Sequence, residues 1–333
     1  MPQRSVAAEI GTPTQMVLSI VLGLVLLFAG AEFLVRGSVS VAHRLGISPL
    51  TIGLTLVGFG TSTPELVTSL EAAFRESPGI AVGNVVGSNI ANILLILGAA
   101  ALISPIACNP RAFRRDAAMV LGSAVLLAIC TIAGAIGPVI GSAFVVLLLA
   151  YVGLTYIRER RIGEISPKPA ETGMAPADSS PYSLAAALAF AASGIAMTIG
   201  GAYLLVDGAI ALATAAGVSD TVIGLTVVAV GTSLPELSTS VIAAFRKQGD
   251  IALGNILGSN LYNILGILGL TAIVHPLTIP AEIARVDIWV MLAATVLLIV
   301  FALTGRRLSR GEGAVFLFLY AAYTGHLALS AAP

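Results

Sequence analysis

Apolar residues fill this chain in long blocks separated by short polar joins. Ten blocks reach the roughly 20 mostly apolar residues that an α-helix needs to cross a bilayer core. They lie at about 14–37, 48–74, 80–104, 116–136, 138–157, 182–206, 220–245, 251–274, 286–304 and 312–331. One stretch is clearly hydrophilic, from Arg158 to Pro181. It holds Arg158, Glu159, Arg160, Arg161, Glu164, Lys168, Glu171 and Asp178, with Pro167, Pro169, Pro176 and Pro181. That composition predicts a solvated linker. It divides the chain into a first five-helix unit (1–158), the linker (159–181) and a second five-helix unit (182–333). The first block begins near Gln15. It is too long for a signal-peptide core and lacks the charged leader and small-residue cleavage pattern, so it is expected to be the first spanning helix.

Composition agrees with this pattern. Of 333 residues, 57% are hydrophobic and 10% charged, against about 25% charged in soluble domains. The expected fold class is an all-α integral membrane protein of ten transmembrane helices. Zero net charge leaves no basic footprint for nucleic acid. Cys108 and Cys130 are too few and too apolar in context for a disulfide scaffold or a thiolate metal site. Basic residues set the orientation. Fourteen fall in the loops after the odd-numbered helices, among them Arg36, Arg44, Arg114, Arg158, Arg246 and Arg306; only Arg4, Arg75 and Arg285 fall on the other side. The linker is therefore expected in the cytoplasm, with both termini outside the cell's plasma (inner) membrane.

The chain also repeats itself. Shifted by 171 positions, residues 51–98 fall on 222–269 without a gap, and 30 of the 48 positions are identical. Shared apolar composition would match far fewer. Gly60, Thr61, Ser62, Pro64 and Glu65 fall on Gly231, Thr232, Ser233, Pro235 and Glu236; Gly83, Asn84, Gly87, Ser88, Asn89 and Asn92 fall on Gly254, Asn255, Gly258, Ser259, Asn260 and Asn263. A unit of five spans is odd, so the second copy must start from the opposite side. Two inverted-topology repeats of five helices follow, the plan of secondary transporters with ions held at the midplane.

The repeated residues are chemically distinctive. A charged side chain at a bilayer centre costs about 2.5–3.5 kcal/mol or more, so Glu65 and Glu236 need a function. Pro64 and Pro235 cannot donate a backbone hydrogen bond and clash with the carbonyls of Gly60 and Gly231. Those carbonyls are expected to turn to a cation, since lipid offers them nothing. Thr61, Ser62 and Glu65 share a helix face by spacing, as do Ser88 and Asn92. Both copies together supply two carboxylates, hydroxyls, amides and backbone carbonyls, all hard oxygen donors. That set suits Ca²⁺ or Na⁺ and not zinc or copper. Two carboxylates balance one divalent cation, and could equally hold two or three monovalent ions or two protons.

"GTSTPEL" with "GNVVGSNIANILLILG", and "GTSLPEL" with "GNILGSNLYNILGILG", resemble the two alpha repeats of the cation/calcium exchanger superfamily, in particular its prokaryotic sodium/calcium exchanger branch. The resemblance spans the whole chain. It implies electrogenic antiport of Ca²⁺ against a Na⁺ gradient, with no cofactor, Ca²⁺ and Na⁺ as transported partners and the lipid bilayer as surroundings. By motif position it implies Glu65 and Glu236 as shared central carboxylates. Thr61 and Thr232 would give backbone carbonyls to Ca²⁺. Ser62, Ser233, Ser88 and Ser259 would give hydroxyls to Na⁺, assisted by the carbonyls of Gly58 and Ala229, with Asn92 at the centre. The chain departs from the pattern at Asn263, where some sodium/calcium exchangers carry Asp, so two carboxylates stand here rather than three.

Simpler readings compete at other positions. Glu32 lies four residues before Arg36, and a local ion pair accounts for it. The repeated Asn84, Asn255, Asn89 and Asn260 serve either as ligands or as braces of broken helices. The pairs Arg114–Asp116 and Arg285–Asp287 read as helix-end charges at the membrane interface. H⁺/Ca²⁺ exchange is the nearest alternative function, because a membrane Glu can be neutralised by a proton. A Ca²⁺ channel would need a pore open to both sides at once. An intramembrane enzyme would need a nucleophile or metal centre that the sequence does not offer.

Overall fold

The computed structural model describes residues 12–75, 77–165, 182–216 and 231–330. Ala229, the start of the expected seventh span and residues 166–181 of the linker lie outside the described residues. Among those described, eleven helices form the molecule: α1 Pro13–Leu45, α2 Pro49–Thr61, α3 Thr63–Phe74, α4 Pro78–Ile103, α5 Pro110–Ala133, α6 Pro138–Ile165, α7 Leu184–Ala215, α8 Leu234–Phe245, α9 Gly249–Val274, α10 Ile283–Thr304 and α11 Arg310–Ser330. Seven of them (α1, α4, α5, α6, α7, α9 and α10) are long and apolar enough to cross a membrane.

Helix starts follow local chemistry. Thr12 and Gln15 form a reciprocal capping box ahead of α1, satisfying N–H groups that the first turn leaves open. Ser48 and Ser183 cap α2 and α7. Proline occupies the first turn of α1, α2, α3, α4 and α8, where its missing N–H costs nothing. Gly46 ends α1 at φ 65°, a left-handed conformation that glycine adopts freely.

Glycines decide the packing. Gly23, Gly30 and Gly37 recur every seventh residue on α1, and their repeat partners Gly194, Gly201 and Gly208 do so on α7. The two helices run antiparallel along this seam. A Cβ on Gly30 would lie 2.6 Å from the Thr198 backbone nitrogen, and one on Gly194 2.4 Å from that of Leu34. Small residues permit such approach where the hydrophobic effect gives helices no reason to associate. α2 crosses α9 more closely still. A Cβ on Gly254 would meet the Leu50 carbonyl oxygen at 2.3 Å, and one on Gly258 the Leu54 oxygen at 2.0 Å. α4 and α9 are the most enclosed helices, 72% and 83% buried along their most apolar stretch, against 22–33% for α1, α6, α7 and α10. The outer helices therefore leave apolar faces for lipid, and the polar repeat lies in the protected centre.

Among the described residues the regular elements are helices save for two ribbons that the all-α expectation lacks. β1 (Ile106–Ala107) pairs antiparallel with β4 (Arg307–Leu308), and β2 (Ala135–Ile136) with β3 (Leu277–Thr278). Each joins the first half of the chain to the second. Two-residue strands carry no alternation to read, and only docking of the halves brings their backbones together.

Two polar readings are also corrected. α6 runs on to Ile165, and Glu159, grouped with the linker by composition, accepts hydrogen bonds from Ser48 N (2.9 Å) and Thr51 Oγ1 (2.6 Å) at the start of α2. Asp116, read as a helix-end charge, is fully buried within the protein. It takes hydrogen bonds from Tyr151 Oη and Arg115 Nε, both at 2.5 Å, partners that make burial of a carboxylate tolerable.

Candidate functional site

The repeated motif breaks its helix. Ser62, between α2 and α3, has φ −82° and ψ 15°; Ser233, at the start of α8, has φ −88° and ψ 6°. Both depart from the helical well. The Gly60 carbonyl, expected to be released by Pro64 toward an ion, instead accepts the Thr63 hydroxyl at 3.0 Å. Threonine here repairs locally what proline removes.

Each break points its carboxylate inward, and each copy holds the other's. Ser62 Oγ donates to Glu236 Oε1 at 2.7 Å. Reciprocally, Ser233 Oγ lies 3.4 Å from Glu65 Oε1. Both glutamates are 1% exposed. Since each serine stands three residues before its own copy's glutamate, this exchange fixes the two carboxylates side by side. A second pair of hydrogen bonds repeats across the copies. Asn84 Nδ2 donates to the Glu65 carbonyl (3.2 Å) and Ser69 Oγ (3.0 Å); Asn255 Nδ2 donates to the Glu236 carbonyl (3.3 Å) and Ser240 Oγ (2.9 Å). These asparagines brace the helix carrying each glutamate.

The other expected positions gather nearby. Thr61 Oγ1 donates to Val57 O (3.1 Å) and lies 3.2 Å from Asn255 Oδ1. Ser259 Oγ donates to the Gly58 carbonyl at 3.2 Å, an oxygen that also receives Ser62 N at 3.2 Å. Asn92 Nδ2 donates to Asn260 Oδ1 at 2.9 Å, and Asn260 Nδ2 to Asn89 O at 3.5 Å, so these amides link α4 to α9. Ser88 is buried on α4; Ala229 lies outside the described residues. α4 and α9 each widen into a π turn where the repeated asparagine stands, over Asn92–Leu97 and Tyr262–Ile267. Such turns frequently mark functional positions in helices.

Four buried oxygens at this centre accept no hydrogen bond: Glu65 Oε2, Glu236 Oε2, Asn92 Oδ1 and Asn263 Oδ1. An orphan buried acceptor is expensive, and two adjacent carboxylates repel unless positive charge lies between them. Cations or protons at these oxygens would relieve both costs. Among the described residues no group of three or more His, Cys, Asp and Glu forms a conventional metal centre; the centre draws on amide and hydroxyl oxygens instead.

Residues 16–157 and 186–329 match the sodium/calcium exchanger protein family. The chain belongs to the sodium/calcium exchanger family. This exchanger is 36% identical over 347 residues to the sodium/calcium exchanger MaX1 of Methanosarcina acetivorans, covering 92% of this chain and 96% of that one. It is also 36% identical over 303 residues to the inner membrane protein YrbG of Escherichia coli, covering 88% and 90%. Its fold is similar to that of the solved sodium-calcium exchanger NCX_Mj, with a TM-score of 0.82 at 33% identity, covering 97% of this chain and 100% of that one. Membership makes the protein a multi-pass membrane transporter of the exchanger type.

The exchanger's two copies differ in their surroundings. α1 packs along α8, and Glu32 holds that contact by pairing with Arg246 as well as with its neighbour Arg36. The expected local pair is thus half of a bridge between helices. The equivalent contact of α7 with α3 is nearly absent. A cavity of ≈ 200 Å³ lies there, lined by Pro64 and Thr68 on one side and Tyr203, Val206 and Asp207 on the other, with Thr232 at its edge. Asp207 escaped the sequence reading. It stands one residue past the expected sixth span (182–206), which α7 extends to Ala215, and its repeat partner is Arg36, so the repeat gives it no support.

Proposed function

We propose that this exchanger is a secondary active antiporter that moves Ca²⁺ against Na⁺ by alternating access. The observation that carries the reading is the reciprocal hold of Glu236 by Ser62 and of Glu65 by Ser233, with one oxygen of each carboxylate left over. Glu65 and Glu236 serve both ions in turn, and their two charges balance one Ca²⁺. Backbone carbonyls of Thr61 and Thr232 complete the Ca²⁺ shell, which takes about 6–8 oxygens. Ser62, Ser233, Ser88 and Ser259 serve Na⁺, with carbonyls of Gly58 and Ala229. Asn92 and Asn263 contribute neutral amide oxygens, so the site holds charge with two carboxylates.

The reading takes the chain as ten spans in two inverted repeats of five. α2 with α3 forms one broken span, α8 belongs to its repeat counterpart expected at 220–245, and α11 is the last. The basic-residue bias puts the linker in the cytoplasm. The closed contact of α1 with α8 then faces inward and the cavity beside α7 faces outward, which makes this the outward-facing arrangement. Exchange of the two contacts would present the same site to the cytoplasm, a change between two near-equivalent packings of the kind that underlies transporter switching.

Ion-substituted ⁴⁵Ca²⁺ flux in proteoliposomes tests the proposal, with Na⁺, K⁺ and H⁺ gradients imposed separately. Uptake is expected with an outward Na⁺ gradient and not with a pH gradient alone. Uptake driven by the pH gradient alone would replace it with H⁺/Ca²⁺ exchange, and single-channel currents would replace it with a channel.

A further inference from the structure

The cavity beside α7 contains a carboxylate that the ion site does not use. Asp207 is half-buried on a span whose surroundings are apolar, a placement that a membrane protein keeps only for a reason. Glu32, the acidic residue of α1, has such a reason in Arg36 and Arg246. Asp207 has no hydrogen bond or ion pair with any described residue. At its repeat-related position the first copy carries the opposite charge, Arg36. Symmetry of the fold therefore does not account for it.

The cavity gives it a place. α1 and α7 cross with Gly30 against Thr198, which sets Ile199 near the middle of the pair. The lining runs along α7 from Ile199 to Ile210, about 16 Å of helix axis at 1.5 Å per residue. Pro64 and Thr232, which belong to the two helix breaks, also line it. Asp207 stands about 12 Å along the axis from Ile199, toward the end of α7 remote from the linker. A volume of ≈ 200 Å³ admits several waters at about 30 Å³ each, enough for a cation that keeps part of its hydration. The remaining lining is largely Ile, Val, Ala and Tyr. Low-dielectric walls of this kind focus the field of a single charge and raise the local concentration of its counter-ion.

We propose that Asp207 recruits cations at the outer mouth of this cavity, a transient binding position on the way to Glu65 and Glu236. The inference rests on the exchange reading and on the outward assignment of the cavity. Asp207 makes no contact with the central site, so its effect falls on the apparent affinity for external cation and not on turnover. Its counterpart Arg36 is already paired, so the cytoplasmic mouth lacks an equivalent and the effect is one-sided.

Na⁺-loaded right-side-out and everted membrane vesicles, with Ca²⁺ titrated in the outer medium, provide the test. In right-side-out vesicles Asp207→Asn is expected to raise the KM for Ca²⁺ about three- to tenfold with maximal rate unchanged, and to flatten the rise of KM with added choline chloride. Asp207→Glu should restore both. In everted vesicles the KM should not move. An unchanged KM in right-side-out vesicles, an equal change on both sides, or a lost maximal rate that Glu does not rescue would overturn the role of Asp207. Wild-type vesicles without Na⁺-dependent uptake would instead overturn the exchange reading, which separates the two failures.

Discussion

The two copies of the repeat, residues 51–98 and 222–269, share 30 of 48 residues yet have different surroundings. Ser62 holds Glu236 at 2.7 Å, whereas Ser233 holds Glu65 at 3.4 Å. The second copy's α8 is packed against α1, while the first copy's α3 borders a cavity. Thr239 is buried with its hydroxyl unpartnered, but its counterpart Thr68 lines the open side. Residues of near-identical chemistry cannot produce this asymmetry by themselves. It belongs to one arrangement of a pair of long helices lying across a nearly symmetric centre. The repeats carry the matched oxygens, whereas the packed side and the open side of the centre are set by α1 and α7.

The strongest way to break the comparison is to remove the shared chemistry. Glu65→Gln and Glu236→Gln are each expected to lower Na⁺-dependent ⁴⁵Ca²⁺ uptake about a hundredfold or more, since each leaves a buried carboxylate without its charge partner for the ion. Both variants should elute as monodisperse protein in detergent. Retained uptake in either copy would show that the centre is not shared.

Packing between the copies comes next. Gly258→Ala places a Cβ 2.0 Å from the Leu54 carbonyl oxygen, and backbone must move to admit it. Overpacking of this kind costs about 1–3 kcal/mol, and the apparent Tm in detergent should fall by roughly 5 °C. An unchanged Tm would mean that α2 and α9 are not held this closely.

A finer test compares the serines. Ser62→Ala removes the shorter bond to a carboxylate and should raise the KM for Ca²⁺ about tenfold; Ser233→Ala should raise it about threefold, in line with hydrogen bonds to charged groups. Equal effects measured by ⁴⁵Ca²⁺ titration would remove the energetic side of the asymmetry. The smallest effect is expected from Glu32→Gln, which opens the bridge from α1 to α8. Exposed ion pairs contribute about 0–1 kcal/mol, so uptake should change less than about threefold, and the difference from wild type should vanish at high salt.

The centre was legible because it violates the rule of its surroundings twice at one interval. Glu65 and Glu236 are charges in apolar segments, and their 171-residue spacing ties each to the same neighbours. Asp116, Asp207 and Glu159 were harder. Asp116 reads as a helix-end charge until Tyr151, 35 positions away, closes over it. Asp207 has Arg36 at its matched position, and Glu159 sits in a stretch whose polarity resembles a linker.

The sequence by itself determined the membrane character, the helical content and the internal repeat, and it singled out Glu65 and Glu236. Hydrophobic length and a recurring motif are local quantities, and one chain records them completely. Tertiary structure alone decided that Ser62 serves the other copy's glutamate, that Asn84 and Asn255 hydrogen-bond to the helices carrying the glutamates, and that Gly60's carbonyl is repaired by Thr63. It alone decided which side of the centre stands open. Those outcomes depend on how α1 and α7 lie across the repeats, and two nearly identical repeats cannot specify which of them is covered.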